Sequence, residues 1–162
     1  KRLSGRGVLC IVDTSGSPFL HVLEEKPFLI KPSLRELEEI FHCPMKEGVL
    51  LSSMIALAQR GVRNVLVSCG EHGAYLLDEH GGFYYGKSPA GRVINTAGAG
   101  DAMVAGFLKG WLQTSDYALA FKRGIAAGSA SAFSRGMADA EAVKKLYAKV
   151  HIEVMREPVM EG

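Results

Sequence analysis

What this chain has little of removes most function classes before any motif is read. Its three cysteines, Cys10, Cys43 and Cys69, stand singly among apolar neighbours. An odd number without CxxC spacing offers neither a disulfide framework nor a zinc site, and a reducing compartment, the cytoplasm, is expected. With one tryptophan and no aromatics interleaved among basic residues, the chain has no stacking platform for nucleic acid. The formal charge of +2 is too small and too scattered to imply a polyanionic partner. No apolar run approaches the roughly 20 residues of a membrane span, and the opening KRLSGRGVLCIVDTSG has no long apolar leader. Repeats and low-complexity tracts are also missing. What remains is an ordinary globular composition, 48% hydrophobic and 22% charged over 162 residues, and that length argues for one domain.

Apolar runs of strand length at 8–12, 27–30 and 65–68 alternate with segments of helical spacing. Asp13 follows the first run. After the second, Ser33 stands as N-cap with Glu36 at the capping-box position, ahead of Leu34, Leu37, Ile40 and Phe41. Residues 47–60 read as a helix closed by Gly61, and 74–77 with 82–85 as a hairpin turning through Glu79, His80 and Gly81. Three helices follow at 101–112, 117–133 and 140–150, and the residues from His151 onward read as a loosely ordered tail. Strands alternating with helices, then helices to the end, predict an α/β three-layer fold with a mostly parallel sheet. Ligands of such folds gather at the C-terminal ends of the strands. Ser33, Ser68 and Gly98 each follow a predicted strand, so one sheet edge is expected to collect all three.

The segment 92–107, RVINTAGAGDAMVAGF, carries the most chemistry. Gly98 and Gly100 let the backbone turn sharply and present N–H groups outward, and the helix start adds roughly half a positive charge, which makes an anion hole. A carboxylate at Asp101 beside it can take a proton from a hydroxyl held next to a phosphate. Two other readings of the same residues are a glycine-rich turn capped by an aspartate and a dinucleotide-binding turn. The latter lacks its third glycine, because Met103 stands there.

This turn resembles the second signature of the PfkB (ribokinase-like) family of carbohydrate kinases. IKPSLRELEEIF (30–41), VLVSCGEHGAYLL (65–77) and GIAAGSASAFSRG (124–136) resemble the branch with 1-phosphofructokinase and tagatose-6-phosphate kinase. The similarity covers nearly the whole chain. It implies a ribokinase-like (Rossmann-like) αβα fold and an ATP-dependent phosphotransferase acting on an alcohol group. By resemblance Asp101 is the base, with Gly98, Ala99 and Gly100 forming the anion hole. Lys31, Ser68, Gly70, Gly73, Val93, Ala127 and Ser131 would contact ATP, the last two and Val93 as walls around the adenine. Mg2+ would be held through water near Glu36. The acceptor implied is fructose 1-phosphate first and tagatose 6-phosphate second.

Family members of this kind are about twice as long. The chain starts at Lys1 without an initiator methionine, and it is expected to be an interior cut lacking the N-terminal half and the lid. Residues 1–150 would be the C-terminal ATP-binding and catalytic part and 151–162 a tail. Little activity is expected from this part alone, and self-association into a homodimer through an uncovered sheet edge is a further expectation. One departure matters: Ser33 stands where the family has asparagine, which removes an amide donor. A helix N-cap box explains Ser33 and Glu36 equally well, and the two roles can coexist. The small residues from Gly124 to Ser131 are expected to pack against Ala102, Ala105 and Gly106. Arg123 and Arg135 reach either phosphate or solvent, His72 is expected in solvent, Trp111 in the core, and Phe83, Tyr84 and Tyr85 in a strand packed on one side. The rival functions are another ribokinase-like sugar or nucleoside kinase and a non-catalytic nucleotide-binding fragment.

Overall fold

The computed structural model describes residues 8–13 and 23–155. Among them six strands lie as hydrogen-bonded neighbours in chain order: β1 (Ile11–Val12), β2 (Leu29–Ile30), β3 (Asn64–Ser68), β4 (Ala74–Leu77), β5 (Phe83–Gly86) and β6 (Ile152–Met155). The first three are parallel, with Ile11 opposite Leu29, Val12 opposite Ile30, Leu29 opposite Asn64 and Ile30 opposite Val65. Leu29, Ile30, Val65, Leu66 and Val67 are fully buried. This is why each run reads as continuously apolar and not as alternating. The helices that lie wholly among the described residues are α1 (Leu34–Phe41), α2 (Glu47–Gln59), α3 (Ala99–Thr114), α4 (Tyr117–Ala132) and α5 (Ala140–Tyr147).

The described residues group into two compact units. One holds the described residues up to Cys69 with Tyr75–Phe83 and Met155; the other holds Gly70–Ala74 and Tyr84–Val154. The core of the first joins Leu37 of α1, Leu50, Met54 and Leu57 of α2, and Val65 and Val67 of β3. Burying each such side chain contributes about 1.5–3 kcal/mol. Helix α2 stops where sequence places its end: Gly61, at φ 103°, donates its N–H to the Ala58 carbonyl at 2.8 Å. The hairpin also forms as read. Asp78 Oδ1 accepts the His80 and Gly82 N–H groups, both at 2.8 Å, and Gly81 supplies the positive φ.

The second unit owes its separate core to small residues. A Cβ on Gly106 would stand 2.6 Å from Ala127 Cβ, and one on Gly110 2.6 Å from Ala120 Cα. Without those atoms α3 and α4 pack closely and bury Phe107, Phe121 and Ile125 completely. Trp111 is only half-buried and stacks on Tyr117 at 4.3 Å. Asp116 and Asp139 cap α4 and α5 by accepting the Leu119 and Ala142 N–H groups.

Two expectations need correction. Residues from His151 onward begin with the strand β6, whose Ile152 packs near Gly86 of β5 because that glycine leaves room. The remainder of the expected tail, residues 156–162, lies outside the described residues, as does Thr14-Ser15-Gly16 after β1. No strand leads into Gly98. Ile94 and Asn95 give their N–H groups to the Ala132 carbonyl at the end of α4, at 2.8 and 3.1 Å, and so join no ladder.

Candidate active site

In the second unit the approach to α3 is built by local hydrogen bonds. Asn95 Oδ1 accepts the Ala97 N–H at 3.0 Å, and the Thr96 carbonyl accepts the Ala99 N–H at 3.1 Å. Gly98 takes φ 76°, ψ −1°, a left-handed conformation that glycine adopts without a Cβ penalty, and α3 begins at the next residue. Gly98 has no side chain to cap the helix, so the N–H groups of Gly100 and Asp101 in the first turn have no intrahelical acceptor. The Ala99 N–H is already spent on the Thr96 carbonyl, and those of Gly100 and Asp101 remain. The Asp101 side chain is exposed and sits where the helix dipole favours an anion.

Asp101 opens into a cavity of about 580 Å³ whose walls include Gly98, Ala102, Ala105, Lys109, Ala127 and Ser131. The structure therefore brings together Gly98, Asp101, Ala127 and Ser131. It also separates the small face of α3: Gly106 packs against α4, while Ala105 is exposed on the cavity side. Val93 does not line this cavity. It borders a smaller one with Arg92, Ile94 and Arg135. Lys109 and the loop residues Gly136, Met137 and Ala138 are lining residues the sequence reading did not assign to a ligand wall, and Arg123, read as reaching phosphate or solvent, also lines it. Helical spacing from Asp101 to Ala105 and Lys109 was the available signal. Arg123 also donates to Gln113 at 3.2 Å, and Met137 is almost wholly exposed.

The glycines of the second motif divide in role. Gly70 and Gly73 lie in the second unit, Gly70 opening the short 3₁₀ turn Gly70–His72 and Gly73 following it. Gly73, at φ 103°, lies so close to Gly86 that a Cβ would run into its carbonyl, whereas Gly70, at φ 59°, has open space around it. The Gly70 carbonyl accepts the Gly73 N–H at 3.2 Å and the Ser88 hydroxyl at 3.2 Å. Gly73 thus has a purely backbone reason to be glycine. His72 is exposed, as expected.

In the first unit, β1, β2 and β3 end together on one edge, where Asp13, Lys31, Ser33, Glu36 and Ser68 collect. Lys31 is 7% exposed, and its ammonium lies 3.3 Å from Asp13 Oδ2, a partner that only the parallel register of β1 and β2 supplies. Ser33 and Ser68 form an isolated parallel bridge, and the Ser68 N–H donates to the Pro32 carbonyl at 3.1 Å. The capping box is complete: the Ser33 N–H and hydroxyl donate to Glu36 Oε2 at 2.7 and 2.8 Å, and the Glu36 N–H donates to Ser33 Oγ at 3.2 Å. The functional readings of Ser33 and Glu36 therefore share these atoms with a structural one. Nearby, burial pushes the Cys69 thiol up to about 11 by desolvating its thiolate.

Among the described residues no three histidine, cysteine or carboxylate side chains converge on one point. A divalent ion held by direct protein ligands finds no cage there. Glu36, with one oxygen in the capping box and the other outside it, fits a hard cation that keeps its water.

Comparison with known proteins completes the description. The 1-phosphofructokinase of Borreliella burgdorferi is 34% identical over 149 residues, 90% of this chain and 48% of that protein. The D-tagatose-1-phosphate kinase of Bacillus licheniformis is 33% identical over 154 residues, 88% of this chain and 47% of that protein. The chain thus spans about half the length of the curated relatives it matches. The crystal structure of phosphofructokinase-2 from Escherichia coli in complex with substrates and products matches with a TM-score of 0.81 at 26% identity, over 90% of this chain and 48% of that one. Ribokinase from Arabidopsis thaliana complexed with ribose and ATP shares the fold, with a TM-score of 0.78 at 24% identity over 90% of this chain and 49% of that one. The α/β ribokinase-like fold expected from the sequence is the fold found. The family model described as pfkB family carbohydrate kinase matches residues 2–144, and the chain belongs to that family.

Proposed function

We propose that this chain supplies the nucleotide-binding and catalytic part of an ATP-dependent phosphosugar kinase. The observation that carries the reading is Asp101: an exposed carboxylate in the first turn of α3, beside two N–H groups without intrahelical acceptors, at the mouth of a cavity with small-residue walls. In this reading Asp101 takes the proton from the attacking sugar hydroxyl. The N–H groups of Gly100 and Asp101 stabilise the charge on the transferring phosphoryl oxygens, in a transfer that depends mainly on positioning and electrostatics. Gly98 sets the angle of both. Ala127 and Ser131 border the adenine. Mg2+ accompanying ATP would keep most of its water and neutralise phosphate charge.

Fructose 1-phosphate is the first acceptor, supported by the Borreliella burgdorferi relative, with fructose 1,6-bisphosphate as product. A second acceptor is favoured by a specific finding: the Bacillus licheniformis relative is a D-tagatose-1-phosphate kinase, so tagatose 1-phosphate stands beside the tagatose 6-phosphate expected from sequence. The test is coupled ADP release by the full-length protein with Mg·ATP and each sugar phosphate in parallel. Turnover with one of them is the expected result; ATP binding without ADP release from any phosphosugar would assign the chain to a non-catalytic role.

A further inference from the structure

Residues 91–97 are exposed and belong to no strand or helix, yet they deliver the chain to the Gly98 turn. Their ties to the rest of the second unit converge on the end of α4. The Ala132 carbonyl accepts both the Ile94 and the Asn95 N–H, at 2.8 and 3.1 Å. At the next residue, the Phe133 ring fills the space that a side chain on Gly91 would need, and a Cβ there would collide with its carbons. Gly91 does not have a positive φ, so room for the ring is what glycine provides at that position. Phe133 is itself fixed. Its N–H donates to the Ser129 carbonyl at 3.0 Å, and the Ser134 N–H donates to the Ser131 carbonyl at 3.1 Å.

From this anchor the chain runs directly into the turn, where Asn95 Oδ1 accepts the Ala97 N–H and the Thr96 carbonyl accepts the Ala99 N–H. Ala97 and Gly98 line the larger cavity, and so does Ser131 in the last turn of α4. One shared carbonyl and one ring therefore fix two parts of the cavity wall against each other. Preorganised donors act only while their angles are held, and a misplacement of about 1 Å costs on the order of 100-fold in rate. We infer that Phe133 is a positioning residue for the Gly98 turn. Its ring, seated against Gly91, sets where residues 91–97 deliver Gly98 and the N–H groups of Gly100 and Asp101 behind it. The role is exercised through the backbone and not on the phosphoryl group, and it rests on the reading of that turn as the site of phosphoryl transfer.

The test uses the full-length protein with Phe133→Ala, with Gly91→Ala, and with Gly91→Ala combined with Phe133→Leu, at a temperature where circular dichroism shows every variant fully folded. Each of the first two should lower kcat for ADP release by about tenfold or more with KM for ATP nearly unchanged, and should shift the 1H–15N amide signals of Gly100 and Asp101. Leucine lacks the outer ring carbons and leaves room for the alanine methyl, so the combined variant should return to within about threefold of the wild-type kcat. A ring that only packs would leave the folded variants at wild-type values in both readouts. Unchanged Gly100 and Asp101 signals or wild-type turnover in Phe133→Ala, or no recovery in the combined variant, would overturn the inference. Should the wild-type protein itself release no ADP, the kinase reading fails, and the amide signals alone decide whether Phe133 positions the turn.

Discussion

The segment from Lys31 to Glu36 and the turn from Gly98 to Asp101 both carry motifs of one family, yet their groups are in opposite physical states. Lys31 is buried against Asp13, and Ser33 and Glu36 satisfy each other in a capping box. Asp101 is exposed without a side-chain partner among the described residues, and the helix behind it starts with uncapped donors. Residues that match a motif can be consumed in holding the chain. The groups left to react are those whose local fold supplies everything except their partner.

The sharpest way to break this division is at Gly73, which belongs to an ATP motif but has a backbone reason for its identity. Gly73→Ala should destabilise the protein by about 3 kcal/mol, because it combines a positive φ with a collision against a carbonyl that cannot step aside. Urea unfolding measures it, and an unchanged midpoint would show that the backbone does not require glycine there. Asp13→Ala comes next. It leaves a buried ammonium without its carboxylate and should cost about 1–2 kcal/mol, less than a fully buried pair because Asp13 is partly exposed. The double variant with Lys31→Met should recover most of that loss, and failure to recover would show that the pair contributes nothing beyond packing.

Ser33 gives a finer cut. Ser33→Ala removes the N-cap and should cost about 1 kcal/mol in thermal or urea unfolding, whereas Ser33→Asn keeps a capping oxygen and should stay within about 0.5 kcal/mol. Equal losses would mean that the serine hydroxyl's bond to Glu36, and not the cap, holds the turn. The smallest effect concerns Cys69. With its thiol raised to about 11, a thiolate fraction on the order of 0.1% at pH 8 should make it alkylate slowly with iodoacetamide, and faster as the pH rises. Rapid alkylation at pH 8 in the folded protein would show that the residue is not shielded.

How much of this was legible in the sequence follows from the range of each interaction. The capping box, the Asp78–Gly82 hairpin and the Gly61 helix stop rest on neighbours within a few residues, and the pattern reveals them. The Asp13–Lys31 pair depends on the register of two strands, and nothing at either position announces the other. Helix α3 begins at Ala99 rather than Asp101 because Gly98, not the aspartate, occupies the cap. Strand β6 was missed because Ile152–Met155 is too short and too exposed to show a burial pattern. Val93 and Ile94 read as the end of a strand because they are apolar, but the N–H groups of Ile94 and Asn95 go to the Ala132 carbonyl at the end of α4. In the candidate site, Asp101 and Gly98 were visible as a turn followed by a helix. The lining by Lys109 and Met137 emerged only when α3, α4 and the loop after α4 were seen to share one cavity.

The central claim is that the open carboxylate does the chemistry while the paired Lys31–Glu36 segment holds the fold. Steady-state ADP release by the full-length protein, comparing Asp101→Asn with Ser33→Asn, tests it most directly. The account predicts a fall in kcat of about 100-fold or more for Asp101→Asn, with KM for ATP nearly unchanged, against a change within about threefold for Ser33→Asn. Near-normal turnover in Asp101→Asn would contradict it.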